Sequence, residues 1–194
     1  MEYYGEVAKA KKGITQRIYS ENYRRKKAKI LDEFLVNETE YVTNLCHIVD
    51  GYYKKCLTSG LFCTEQIDKI FGNILDIFEF HSIFLRRLKR VVDTYSVEQI
   101  AQVFQSNLRR FSIYKQYCTN FTESTDYLNS LLQYKEYREF FNKCRCNDEQ
   151  VIRLPLSSYL LGPVQRICKY PLQLEALLQV SLLPFNNYCI VILR

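Results

Sequence analysis

The chain of 194 residues is 47% hydrophobic and 14% aromatic, which is enough apolar material for the core of one domain and excludes a disordered protein. Its 6 glycines and 4 prolines provide few turns, which disfavours a β-sandwich or barrel and favours long helices. The formal net charge of +6 suits an acidic protein partner or anionic lipid, whereas the absence of Trp and the helical spacing of the tyrosines disfavour binding to nucleic acid.

The first half of the chain predicts two long helices. Residues 1–20 are polar and basic, which predicts a flexible lead-in or a short extra helix. Apolar residues then recur every three or four positions from residue 21 to about 56, as expected of an amphipathic helix, and the run ends at 58–60. Thr64 is predicted to cap a second helix that spans residues 65 to about 92.

Shorter helices are expected next. Ser96 is predicted to cap a third helix, because a hydroxyl at this position can accept a hydrogen bond from the first turn. Two further helical stretches are predicted at about 107–120 and 123–143, followed by a turn at 144–148.

The closing segment, residues 152 to about 179, keeps helical spacing although it contains Pro155, Pro163 and Pro171. A proline inside a helix removes a backbone hydrogen bond and kinks the helix, at a cost of about 3 kcal/mol. We therefore predict a kinked C-terminal helix whose distortion is offset by tertiary packing.

The cysteines predict free thiols rather than disulfides or a zinc site. Of the 8 cysteines, only Cys144 and Cys146 lie close together, His47 and His81 are distant in sequence, and no C-x-x-C pair occurs. We therefore expect buried, free thiols in a reducing compartment. The first residues also lack the apolar segment of a signal peptide, so a cytoplasmic location is expected.

Glu38 stands out because it falls inside an apolar stripe of the first helix, between Leu35 and Val42. An unpaired carboxylate is costly to bury. Two interpretations are open on pattern alone. Either Glu38 pairs with a Lys or Arg of a neighbouring helix or lies at a solvated edge of the stripe, or this part of the stripe is an exposed docking surface.

A second polar feature is one face of the closing segment. Gly162 and Ala176 share this face with four longer polar side chains, which are Gln165, Arg166, Lys169 and Gln173. Such a face is ordinarily a solvated helix side. Small residues between long polar ones also suit the close approach of a partner, so both interpretations remain open.

The motifs resemble those of the Dbl-homology domain family. Residues 156–178, LSSYLLGPVQRICKYPLQLEALL, are similar to the third conserved region of that family, which reads L-x-x-Y-L-hydrophobic-x-P-V-Q-R-hydrophobic-x-R/K-Y-P-L-x-L. Residues 30–45 resemble the first region, with Asn37 where Thr is usual, and residues 103–121 resemble the second. The resemblance covers most of the chain in the family's order.

The resemblance implies an all-α, elongated bundle of long helices that promotes nucleotide exchange on a small GTPase of the Rho, Rac or Cdc42 type. By position, Glu38 would contact the first switch segment of the GTPase and Lys169 the second, with Gln165 and Arg166 in supporting interface roles. Exchange would proceed by stabilising the nucleotide-free GTPase, with no covalent chemistry, no cofactor and no metal. The alternative is an exchange-inactive scaffold that binds a GTPase or another protein.

The resemblance ends after Gln179, where family members continue into a further long helix. Residues 21–179 are therefore interpreted as a truncated Dbl-homology domain and residues 180–194 as an apolar tail that does not match. The tail is expected to reflect truncation, with a short genuine ending or membrane insertion as alternatives, and exchange is expected to be impaired. Peripheral membrane association is a further hypothesis, based on a basic run at Arg24, Arg25, Lys26, Lys27 and Lys29.

Overall fold

The computed structural model describes residues 2–92, 96–145 and 154–182. Within these ranges, side chains are described from residue 21 to residue 180. Every regular element in the described ranges is helical. The helices are α1 (Glu2–Ile48), α2 (Lys54–Thr58), α3 (Thr64–Phe71), α4 (Ile74–Val92), α5 (Val97–Asn107), α6 (Ile113–Leu131), α7 (Lys135–Arg145), α8 (Leu156–Leu160) and α9 (Gly162–Leu182). A π-helical turn, Val49–Tyr53, joins α1 to α2, and a 3-10 turn, Leu108–Ser112, joins α5 to α6. The predicted all-α fold is confirmed.

The first helix begins earlier than predicted, whereas the helical run ends close to the predicted break at 58–60. Residues 2–20 form its beginning, so they are neither a flexible lead-in nor a separate helix. At the other end the π-helical turn carries the chain into α2 without a break, and helical structure continues to Thr58. In a π-helical turn the backbone hydrogen bonds span five residues instead of the four of an α-helix.

The predicted second helix is divided in two at Gly72. This residue has φ +50° and ψ −137°, a conformation that residues with a Cβ rarely adopt, and its N–H still bonds to the carbonyl oxygen of Asp68 at 2.9 Å. The cap of α3 is Cys63 rather than Thr64, with the Gln66 side chain accepting a hydrogen bond from the Cys63 N–H at 2.9 Å. Ser96 caps α5 as predicted, because its hydroxyl accepts a hydrogen bond from the N–H of Gln99.

The later boundaries also differ from prediction. Helix α6 runs through the predicted break near 121–122 and ends at Leu131, and α7 continues to Arg145, so Cys144 is helical rather than part of a turn. The remainder of the predicted turn, 146–148, and the tail residues 183–194 lie outside the described residues.

The prediction that three prolines kink one helix is wrong for two of them. Pro155 directly precedes α8, and Pro163 is the second residue of α9. At these positions the missing N–H removes no helical hydrogen bond, because the first turn of a helix has no intrahelical acceptor for it. Only Pro171 lies inside a helix, and the chain changes from α8 to α9 at Leu161.

Two clusters of buried apolar side chains form the core. The first packs the C-terminal half of α1 against α3, α6 and α8, and includes Leu45 and Tyr52. The second packs an earlier part of α1 against α4, α5 and α9, and includes Phe34 and Phe84. Glu38 therefore lies along α1 between a residue of one cluster, Phe34, and a residue of the other, Tyr41.

The cysteines of the described residues are free thiols, but the prediction that they are buried holds for only two. Cys56 and Cys144 are buried, Cys46 is half-buried, and the other three, Cys63, Cys118 and Cys168, are exposed. Among the helices that the structure describes, none combines the length and apolar character needed to cross a bilayer.

Candidate functional site

The Glu38 side chain is completely buried, with 0% of its surface exposed. Helical periodicity puts it on the same face of α1 as Phe34 and Tyr41, which point into the bundle. The interpretation that this side chain belongs to an exposed docking surface is therefore wrong. The alternative, in which Glu38 pairs with a basic residue of a neighbouring helix, is correct, and the partner is Arg166 of α9.

Three side chains donate hydrogen bonds to the Glu38 carboxylate. The guanidinium of Arg166 donates to Oε2 from both Nε, at 3.1 Å, and Nη2. The Tyr170 hydroxyl donates to the same oxygen at 2.7 Å, and His81 Nδ1 donates to Oε1 at 2.7 Å. Burial raises the pKa of Glu38, but His81, Arg166 and Tyr170 outweigh burial and hold this pKa below its ordinary value. The carboxylate is therefore ionised and fully hydrogen-bonded.

His81 links Glu38 to a tyrosine pair. Its side chain is 0% exposed, and burial lowers its pKa despite the nearby Glu38 carboxylate, so the imidazole is neutral. Because a carboxylate can only accept, the proton is assigned to Nδ1, which leaves Nε2 to accept a hydrogen bond from the Tyr114 hydroxyl at 2.7 Å. The Tyr41 hydroxyl lies 2.9 Å from that of Tyr114 and donates to it.

Arg166 is held by aromatic rings as well as by Glu38. Its guanidinium carbon lies 4.4 Å from the centroid of the Tyr170 ring, 5.7 Å from Phe34 and 5.9 Å from Tyr41. Such cation–π contacts stabilise a desolvated guanidinium. Although burial lowers the pKa of Arg166, Tyr170 and Glu38 outweigh this effect and raise it, so Arg166 and Glu38 form a buried ion pair.

An open groove of about 210 Å³ lies over this ion pair, between α1 and α9. Its walls are polar, and they consist of Asn37, Glu40, Tyr41 and Asn44 from α1 and Gly162, Gln165, Arg166 and Lys169 from α9. The structure thus brings the four predicted site residues together in two layers. Gln165 and Lys169 are exposed at the groove, whereas Arg166 lines it with only 4% of its surface exposed and Glu38 is fully buried.

Sequence reasoning did not include His81, Tyr114, Tyr41 or Tyr170 among the predicted site residues. The signal for His81 was the same as for Glu38, since both are polar residues within an apolar helical stripe. The tyrosines gave no comparable signal, because a tyrosine on a buried helix face satisfies the apolar pattern whether or not its hydroxyl is used.

Known proteins resemble this chain in sequence. The model of the RhoGEF domain family matches residues 30–182. Spermatogenesis-associated protein 13 of Mus musculus is 34% identical over 173 residues, which cover 88% of this chain and 26% of that protein. Rho guanine nucleotide exchange factor 9 of Homo sapiens is 34% identical over 171 residues, which cover 87% of this chain and 33% of that protein. The chain thus spans 26% to 33% of the length of these curated relatives.

Solved structures share the fold. The structure of Vav1 inhibited by an allosteric inhibitor superposes with a TM-score of 0.75 and 26% identity, over 84% of this chain and 43% of that chain. The linker-DH/PH domains of p115-RhoGEF superpose with a TM-score of 0.73 over 82% of this chain and 50% of that chain, at 23% identity, which shows the fold alone. Since the family model matches most of its length, the chain belongs to the RhoGEF domain family.

Proposed function

We propose that this domain accelerates nucleotide release from a Rho-family small GTPase by binding its nucleotide-free form in the groove between α1 and α9. RhoGEF domains act as exchange factors on such GTPases without covalent chemistry. The observation that carries the proposal for this chain is the groove itself, which the exposed Gln165 and Lys169 line together with Arg166, the partner of the buried Glu38.

Differential binding is the physical basis of the proposed exchange. A protein that binds the nucleotide-free state more tightly than the loaded state lowers the barrier to release, whereas equal affinity for both changes nothing. The Lys169 ammonium and the Gln165 amide can change partners without disturbing the core, because both are exposed. We assign them the direct contacts to the switch segments.

Glu38 and Arg166 receive a different role in this proposal. For Glu38 to contact a GTPase, its carboxylate would have to leave Arg166, Tyr170 and His81, and Arg166 would then be a buried charge without a partner. Breaking a buried ion pair costs about 3 to 5 kcal/mol. The geometry therefore favours an indirect role, in which the pair fixes the floor of the groove, while a direct contact by Glu38 stays a prediction.

A nucleotide-release assay tests the proposal. Rho, Rac and Cdc42 proteins loaded with fluorescent GDP would be mixed with residues 1–194 and excess unlabelled nucleotide. Faster release from at least one GTPase, slowed about tenfold by Lys169→Ala, supports the proposal. Lys143→Ala is the matched control, because Lys143 is also an exposed lysine but lies in α7 outside the groove, and it should leave the rate unchanged. The acceleration is expected to be weak, since the resemblance to the family ends after Gln179, but no acceleration for any of the three GTPases would contradict the proposal.

A scaffold that binds without exchange is the second candidate. Val36 of α1 is 63% exposed and precedes the groove residue Asn37 by one position. Leu172 of α9 is 67% exposed and follows the groove residue Lys169 by about one helical turn. These apolar side chains beside the groove would add affinity for a partner in either function. Tight binding of a GTPase without faster release, weakened by Leu172→Ser, would favour the scaffold.

We also propose that one end of the bundle associates with anionic membranes from the cytoplasmic side. One basic run precedes Leu31 on α1, and the other surrounds Leu88 on α4. The two runs lie close together, because the side chains of Leu31, Leu88 and Val92 pack in the same apolar cluster. The runs contribute nine cations, which are Arg24, Arg25, Lys26, Lys27, Lys29, Arg86, Arg87, Lys89 and Arg90. Residues 21–33, 86–92 and 96–107 contain only four acidic residues, which are Glu21, Asp32, Glu33 and Glu98.

Vesicle sedimentation tests the membrane proposal. Binding to vesicles that contain phosphatidylserine, lost in high salt and in Lys26→Glu/Lys29→Glu, is expected because attraction to anionic lipid is electrostatic. Equal binding to vesicles of phosphatidylcholine alone would contradict it.

A further inference from the structure

Four polar side chains, of which Tyr41 lines the groove and the others are buried, form a directed chain of hydrogen bonds. The Tyr41 hydroxyl donates to Tyr114, Tyr114 donates to His81 Nε2, and His81 Nδ1 donates to Glu38. The chain starts and ends on α1, three residues apart, and passes through α6 and α4. It therefore connects one turn of α1 to two other helices, while Arg166 and Tyr170 connect the same turn to α9.

This turn of α1 is the one that forms a wall of the groove. Asn37, Glu40 and Tyr41 line the groove, and Glu38 lies among them in sequence with its side chain turned inward. A rotation of the turn would move all three lining residues together, because they belong to one helical turn. The hydrogen bonds that Glu38 accepts from Arg166, Tyr170 and His81 oppose such a rotation.

We propose that His81 is a positioning residue for the groove, which holds the Glu38 carboxylate at Oε1 so that Arg166 and Tyr170 can both occupy Oε2. This inference rests on the proposed function and adds a residue that touches neither the groove nor the GTPase. Arg166 and Tyr170 contact the oxygen that His81 leaves free. Without a donor at Oε1, the carboxylate would be free to turn and divide its two oxygens between Arg166 and Tyr170.

A purely structural role for His81 is the competing explanation. A buried histidine that only fills space would affect stability, and its effect on binding would follow the loss of folded protein. A positioning role makes a more specific demand, since the donor that faces Glu38 must be present while the acceptor that faces Tyr114 matters less. Two amide substitutions separate these requirements.

The variants His81→Asn and His81→Gln form the test pair. The Asn side chain can place an N–H near the Nδ1 position and so preserve the donor to Glu38, whereas the Gln side chain reaches toward the Nε2 position and preserves an acceptor for Tyr114. We expect His81→Asn to keep the affinity for nucleotide-free GTPase within about threefold and His81→Gln to lose at least about tenfold. Both affinities are measured at a temperature where circular dichroism shows each variant to be folded.

The outcomes decide between the two explanations. Equal losses in both variants, or losses that follow their thermal midpoints, would overturn the positioning role. Should His81→Gln fail to fold, Tyr114→Phe provides the second test, because it removes the Nε2 contact and retains the Glu38 contact. Less than about threefold loss of affinity in Tyr114→Phe supports the inference, and a loss of about tenfold or more would overturn it.

A readout without GTPase keeps this inference separate from the proposed function. The Nε–H of Arg166 is hydrogen-bonded to Glu38 and buried, so its NMR signal should exchange slowly with water. The signal should stay protected in His81→Asn and become fast-exchanging in His81→Gln, even if no GTPase binds. Protection in both variants would show that His81 does not position the pair.

Discussion

The Glu38 carboxylate accepts two hydrogen bonds from the guanidinium of Arg166, a residue 128 positions further along the chain. This pair joins the first long helix to the last one and lies at the junction of the two apolar clusters. Neither charge reaches bulk water, because Glu38 is 0% and Arg166 only 4% exposed. We therefore expect the pair to stabilise the bundle, and in the proposed account it fixes the floor of the groove.

Removing the charge of Glu38 should destabilise the domain strongly. Glu38→Gln leaves the Arg166 guanidinium buried without a counter-charge, which we expect to lower the free energy of unfolding by about 3 to 5 kcal/mol. Urea unfolding followed by circular dichroism measures this loss. Glu40→Gln is the matched control, since Glu40 is exposed two positions away, and it should change stability by less than about 0.5 kcal/mol. Similar effects of the two substitutions would contradict the buried pair.

Removing both charges should lower the free energy of unfolding by less than the sum of the losses from the two single substitutions. In Glu38→Gln/Arg166→Met the Gln carbonyl can still accept from Tyr170 or His81, and no unpaired charge remains. We expect the loss to be smaller than the sum of the single losses by about 1 to 3 kcal/mol. The same cycle with Glu40→Gln and Arg166→Met should be additive. Additivity in the Glu38 cycle would show that the two side chains do not interact.

Stability should fall as the pH falls below the ordinary pKa of histidine. The folded-state pKa of His81 is lowered from 6.5, so the unfolded chain takes up this proton first, and stability is lost as the pH falls from 6.5 towards the folded value. The groups that face His81 are Glu38, Tyr41, Tyr114, Arg166 and Tyr170. The lowered pKa of Glu38 adds a second loss that begins near its ordinary value of 4.5.

Free energies of unfolding at pH 7.5, 6.5 and 5.5 test this dependence. His81→Asn lacks the titrating imidazole, so the decrease between pH 6.5 and 5.5 should be smaller in this variant than in the wild type. An equal decrease in both proteins would assign it to other groups.

The break between α3 and α4 should depend on glycine. Gly72→Ala meets no atom within 4 Å of the added Cβ, so the whole cost comes from the positive φ of 50°, and we expect about 1 to 2 kcal/mol of destabilisation. Gly162→Ala is the control, because its added Cβ would lie 4.0 Å from Tyr41 Cε2, an ordinary contact, and its φ is not positive. Thermal unfolding should show a lower midpoint for Gly72→Ala alone.

The sequence predicted the helical fold and the apolar faces better than the breaks between helices. Apolar residues continue at helical spacing on both sides of Gly72, so the hydrophobic pattern did not reveal the break between α3 and α4. Pro155 and Pro163 suggested kinks because periodicity does not show where one helix ends and the next begins. Cys63 was missed as a cap because its neighbour Thr64 is the commoner capping residue.

The sequence drew attention to Glu38 and to the polar face of α9, but it did not show that Glu38 and Arg166 are buried or that His81 and Tyr114 join them. A charged residue within an apolar stripe marks a position of interest, but Glu38 could satisfy that pattern by pairing inside the bundle or by facing a partner. The packing of α9 against α1 decides between these two arrangements, and it brings together Glu38 and Arg166, which are 128 residues apart in the sequence. His81 joins the site for the same reason, since α4 also contacts this part of α1.

The affinity of this domain for the two states of its GTPase tests the central claim most directly. Titration calorimetry or fluorescence anisotropy would compare binding of residues 1–194 to a nucleotide-free Rho-family GTPase and to the same GTPase loaded with GDP and magnesium. The account predicts tighter binding of the nucleotide-free form by at least about a hundredfold, with this preference reduced by Lys169→Glu and retained in Lys143→Glu. Equal affinities for the two forms would contradict an exchange function.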